Sequence, residues 1–178
     1  MTEAEAALRR DASVISQDAG DCDGRLEAIR EQVRGTSIND ETLLTTDYLN
    51  RFNEIQMVID LIAEDRGALD EVRNWKPVSY QEHFHRSQLA FRELAVEAYE
   101  QSPDPYRREF DSLIECMNDL IRDNIVAIEK AIAADDQKAL QAVSAATREQ
   151  LDLMLVEARA IVNAGRESLG QDAIDDLF

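Results

Sequence analysis

Three polar residues carry the clearest prospect of chemistry in this chain. Asp47, Asn50 and Glu54 are spaced i, i+3 and i+7, which on a helix gathers them within about 60°. A carboxylate and a carboxamide presented together on a rigid helix orient a water molecule for in-line attack on a phosphoryl group. The same residues also suit an ordinary solvated face bridged by Arg51. Other chemistry is sparse. His83 and His85 stand at i and i+2 and turn about 200° apart on a helix, so they do not chelate one ion together. Cys22 and Cys116 lie far apart and fit neither a zinc nor a redox spacing, which predicts buried free thiols in a reducing compartment. Neither a Gly-rich phosphate loop nor a Ser-His-Asp or Cys-His arrangement can be traced. No metal and no cofactor is expected.

The elements that must position these residues are helices, because apolar residues recur at helical spacing throughout and no alternating strand pattern interrupts them. Thr2 and Glu5 form a capping box that opens a helix to about Gln17. After Gly20, Asp23 caps a second stretch with Leu26, Ile29 and Val33 inward, closed by Gly35. Thr36 to Asp40 is a turn. The stripe Leu44, Tyr48, Phe52, Ile55, Ile59 and Ile62 predicts a helix over 41–63. A short helical turn from Leu69 ends at Trp75, ahead of Lys76-Pro77. Ser79 and Glu82 form another capping box, opening a helix to about Tyr99. Pro103-Asp104-Pro105 is the strongest punctuation, with Asp104 as cap and Pro105 at the first position. The helix that follows carries Phe110, Leu113, Ile114, Met117, Leu120, Ile121, Ile125 and Ile128 to about Ala134. Asp135 caps a last helix running to about Ala164. The fold class is therefore all-α: an antiparallel bundle of four long helices plus one or two short ones. The bundle is expected over 1–166, with a flexible acidic-amphipathic tail over 167–178.

Composition narrows the partners. With 178 residues, one domain with a real core is expected. A net charge of −18 argues against nucleic acid, since no basic stripe exists to displace counterions, and against anionic membrane surfaces. A basic protein partner stays compatible. No signal peptide and no apolar run of about 18 residues is visible, so the expected location is cytoplasmic.

The tail carries the strongest functional signal. In Gln171-Asp172-Ala173-Ile174-Asp175-Asp176-Leu177-Phe178, the residues Ile174, Leu177 and Phe178 fall at i, i+3 and i+4 and share one helical face opposite the aspartates. So short a segment orders only when something receives its apolar stripe. It resembles the C-terminal peptide of the chemotaxis phosphatase family (CheZ), and the N-terminal peptide of the flagellar switch protein, of the form Ser-Gln-Asp/Ala-x-Ile/Val-Asp-x-Leu-Leu/Phe. The match falls on Gln171, Asp172, Ile174, Asp175, Leu177 and Phe178. The resemblance implies docking on the receiver domain of a chemotaxis response regulator. That family's Phe-Gln-Asp-Leu/Ile-Thr-Gly-Gln motif does not occur here, and Asp47-x-x-Asn50 is a loose relative of the Glu-x-x-Asn of another receiver phosphatase family.

The resulting expectation is a two-component signalling protein that binds a receiver domain through this peptide and could promote its dephosphorylation. Two other classes fit the composition. One is a binding module with an internal apolar pocket lined by Tyr48, Phe52, Phe84 and Phe91. The other is a homodimeric or larger structural bundle, which would expose an apolar stripe on one helix.

Overall fold

A hairpin of two long helices forms the spine of the molecule: α6, Asp104–Ala133 (30 residues), and α7, Gln137–Asp175 (39 residues). The computed structural model describes residues 24–62 and 64–175, with side chains described up to 164. Every regular element among the described residues is helical. Ahead of the hairpin come α1 (24–33), a 3-10 turn over Thr46–Leu49, α2 (Asn50–Ile62), α3 (Leu69–Asn74), α4 (Tyr80–Arg86) and α5 (Arg92–Gln101). No helix among the described residues is long and apolar enough to cross a membrane. The Thr2 to Gln17 helix with its capping box, Gly20, Asp23 and Cys22 lie outside the described residues.

Helical spacing decides which side of the hairpin is dry. Phe110, Ile114, Met117, Ile121, Ile128 and Ala131 of α6 are buried, facing Leu140, Leu151, Leu155, Ala158, Ile161 and Val162 of α7. α2 lies along α7 through Phe52, Ile55, Ile59 and Ile62, and α3 closes against α2 with Leu69 and Val72. Burying each such side chain contributes roughly 1.5–3 kcal/mol. The ion pairs are solvent-exposed for the most part, as in Arg122–Asp119 and Arg73–Glu129, and water screens them, so the apolar contacts carry the fold.

Several expected boundaries move, each for a local reason. The helix predicted over 41–63 begins only at Asn50. Leu43, fully buried, takes a left-handed φ of 57°, which no α-helix accommodates. Thr45 then caps the 3-10 turn by accepting from the Asp47 amide at 3.3 Å. The helix predicted from Ser79 to Tyr99 is two helices. Its start is as expected, with Ser79 Oγ accepting from the Glu82 amide at 3.1 Å. It stops because Ser87 turns extended (ψ 161°) and its hydroxyl donates to the Phe84 carbonyl, a local bond that competes with helix continuation.

At the hairpin turn the cap is Asp136, whose carboxylate accepts from the Ala139 amide at 2.9 Å. Asp135 instead occupies the left-handed corner with φ 52°. Asp104 is the first residue of α6 and its carboxylate receives Arg107 and Arg108, with Pro103 in the cap position. α7 does not end near Ala164. Its backbone stays helical through Gly165 and Gly170 to Asp175. Two long helices with several shorter ones thus stand, among the described residues, where four long ones were expected. Cys116 is a free thiol, but exposed, because the inward stripe Ile114, Met117, Ile121 turns it outward.

Candidate functional site

The chemistry-bearing side chains gather where α4, α5 and the first half of α6 meet the 3-10 turn. Buried hydroxyls fix this end. Thr42 Oγ1 donates to the Val162 carbonyl and Ser102 Oγ donates to the Thr42 carbonyl, both at 2.7 Å, tying the 36–45 loop, the α5–α6 connection and α7 together. Asn39 Oδ1 accepts from the amides of Glu41 and Thr42 and holds the loop in shape. The Thr45 amide donates to the Tyr80 hydroxyl at 3.1 Å, and the Tyr48 hydroxyl donates to the Val78 carbonyl at 2.6 Å.

Around these bonds the aromatic rings interlock. Tyr80 stacks on Tyr99 with centroids 4.5 Å apart and lies tilted on Phe84 at 4.7 Å, while Tyr48 packs on Tyr80 at 5.3 Å. Arg51 extends over the rings of Tyr48, Phe52 and Trp75 at 5.1–5.7 Å and donates to the Lys76 carbonyl at 2.6 Å. Its charge is thereby engaged with rings and backbone. Tyr48, Phe52 and Phe84 are buried, Tyr48 packing on Phe52 and Phe84 on Tyr80. Phe91 joins them only at its edge, 6.5 Å from Phe84.

An open cleft of about 290 Å³ lies beside the rings. Tyr80, Tyr99 and Phe110 form its aromatic wall, and Asp111, Glu115 and Asn118 its polar one. The polar three stand at i, i+4 and i+7 on α6, one row around from the buried stripe. The Tyr99 hydroxyl donates to both oxygens of Asp111, at 2.8 and 2.9 Å. Partial burial raises the Asp111 pKa above the usual carboxylate range, against the pull of the Tyr99 hydrogen bond and of Arg107. Tyr80 and Tyr99 are pushed well above the ordinary phenol value, first by burial, so both remain protonated donors. None of these five polar or phenolic residues was singled out from sequence as a site. The i, i+4, i+7 spacing of Asp111, Glu115 and Asn118 beside Phe110 and Ile114 is the signal that could have found them.

The trio read from sequence is brought only partly together. Asp47 lies in the 3-10 turn rather than on α2, half-buried, and its carboxylate accepts from the hydroxyls of Ser37 and Thr45. There it ties Ser37 and the cap residue Thr45 to the turn. Asn50 and Glu54 are exposed, one turn apart on α2. His83 packs edge-on against Tyr48 (5.3 Å) and Phe84 (5.0 Å), and burial lowers its pKa below 6.5, reinforced by Arg51. His85 is exposed, and no group of metal-ligating residues forms among the described residues.

Of the tail residues, Gln171, Asp172, Ile174 and Asp175 have their backbone in α7, their side chains lying outside the described set. Leu177 and Phe178 lie outside the described residues altogether. Exposed apolar side chains do occur on α2 (Met57, Leu61) and α7 (Leu153, Val156), interleaved with the Gln56–Asp152 hydrogen bond and the Arg148–Asp60 ion pair. Comparison of the chain with protein-family models, curated proteins and solved structures finds no match.

Proposed function

We propose that this chain is a cytoplasmic signalling adaptor of the bacterial two-component type, whose segment 171–178 docks on a response-regulator receiver domain. The observation that carries this reading is the set Gln171, Asp172, Ile174, Asp175, Leu177 and Phe178, six matches to one docking pattern within eight residues. The helical scaffold supports it. α7 has 39 residues against 30 in its hairpin partner α6, so it runs roughly 58 Å against roughly 45 Å and carries the segment past the start of α6. The scaffold itself is an antiparallel bundle built on that hairpin, with α1 and α2 completing its core. Ile174, Leu177 and Phe178 would enter an apolar groove while the aspartates meet a basic receiver surface.

A hydrolytic role is the second reading, favoured by the exposure of Asn50 beside Glu54. In that role the Asn50 amide would orient water at the receiver's aspartyl-phosphate and Glu54 would hold the receiver's lysine. Asp47, engaged by two hydroxyls, supports the fold of that region. The test of the adaptor reading is affinity capture from a bacterial lysate, with the full chain beside a version truncated after Ser168. Recovery of a receiver-domain protein by the full chain only supports it. Equal recovery, or none, counts against it.

A further inference from the structure

The cleft on α6 has a chemical character of its own, independent of segment 171–178. Its polar wall is made of acceptors. Asp111 uses the Tyr99 hydroxyl for one hydrogen bond shared between its two oxygens, leaving lone pairs open of the four or so a carboxylate offers. Glu115 is exposed at the rim and has no ion-pair partner among the described residues. Asn118 Oδ1 is buried without a hydrogen-bond partner.

No lysine, arginine or histidine lines the cleft. Two guanidiniums lie close by and both are engaged: Arg107 donates to the Glu100 carbonyl and to Asp104, and Arg51 donates to the Lys76 carbonyl and reaches the Tyr48 hydroxyl and the Val78 carbonyl at 3.5 Å. The rings of Tyr80, Tyr99 and Phe110 back the cleft, Tyr80 and Phe110 nearly buried and Tyr99 partly exposed. Carboxylates opposite aromatic rings, in a molecule of net charge −18, complement a cation and repel an anion. A volume of about 290 Å³ limits the occupant to a small one.

We propose that this cleft binds a small organic ammonium group on an alkyl stem, the ammonium between Asp111 and Glu115 and the stem against Tyr80, Tyr99 and Phe110. Such a group comes either from a free alkylamine or from a lysine side chain of a partner. Both present three N–H donors to a wall of acceptors.

The test is calorimetric and NMR titration of the full chain with butylamine, with Nα-acetyl-lysine methylamide, and with 1-butanol as the uncharged control. The expected result is saturable binding of an ammonium probe, amide shifts confined to α6 around Asp111 to Asn118 and to Tyr99, and no binding of butanol. The stronger of the two ammonium probes identifies the source. Glu115→Gln, at an exposed position, keeps the fold and should weaken binding about tenfold, as should Asp111→Asn, which can still accept from Tyr99. Shifts spread over the acidic surface, equal binding by the variants, or no saturation in the millimolar range would overturn the proposal.

Discussion

The two halves of the α6–α7 hairpin are held by different forces. Near the turn, the buried contact of Ile121, Ile128 and Ala131 with Leu140 is aliphatic, with α2 against α7, α3 against α2, and ion pairs such as Arg73–Glu129 only at the surface. At the other half, around Phe110, Met117 and Leu155, the cover is aromatic and crossed by hydrogen bonds donated by the hydroxyls of Thr42, Ser102 and Tyr48 and by the Thr45 amide to Tyr80. A surface of dispersion contacts tolerates sliding, while a buried hydroxyl aimed at one carbonyl does not. The polar half is therefore where loop 36–45 and the short helices are fixed in place, and where the open cleft lies.

The largest effect expected is at the aromatic half. Phe84→Ala removes a ring that touches Tyr80, His83 and Phe91 and should cost about 3–5 kcal/mol in chemical denaturation. A loss below about 1 kcal/mol would mean the rings are loosely packed and the contrast between halves is false.

Next comes a matched pair of threonines. Thr42→Val deletes the donor to the Val162 carbonyl and the acceptor of the buried Leu44 amide, at about 1–3 kcal/mol. Thr147 donates to the Val143 carbonyl of its own helix, so Thr147→Val should cost less than about 1 kcal/mol. Equal losses by thermal unfolding would erase the distinction between a tertiary tie and a local one.

The smallest effect is one of pH. Burial disfavours protonated His83, with Arg51 acting in the same sense and Glu54 and Asp47 opposing. The unfolded chain takes up this proton at higher pH than the folded one. The contribution is therefore present above 6.5 and drains away as pH falls from there through the lower folded value. Stability followed between pH 7 and 5 should decline less steeply in His83→Gln than in the parent. An unchanged slope would place the imidazole in solvent.

The same contrast explains what could be read in the sequence. The stripes of α6 and α7, the Ser79 capping box and the Gly35 stop were legible because each depends on residues a few positions apart. The α2 start, the break at Ser87 and the role of Asp47 were not. They are set by Leu43 in a left-handed conformation, by a serine hydroxyl choosing the Phe84 carbonyl, and by hydroxyls of Ser37 and Thr45 meeting Asp47. The cleft was hidden for a similar reason, since Tyr80 and Tyr99 join Asp111 only once three helices are assembled.

The hydrolytic reading separates cleanly from the adaptor reading. If the protein shortens the phosphate lifetime of a receiver domain, Asn50→Ala should restore that lifetime by about 10²–10⁴-fold in rate while leaving capture intact. No shortening by the parent chain leaves the adaptor role standing alone.

The central claim is that segment 171–178 recognises a receiver domain separately from the fold that carries it. The most direct measurement is calorimetric titration of a purified chemotaxis receiver domain into the full chain and into Ile174→Asp. Saturable one-to-one binding to the parent, absent from the variant, is the predicted result. Binding of equal strength to both, or to neither, would contradict it.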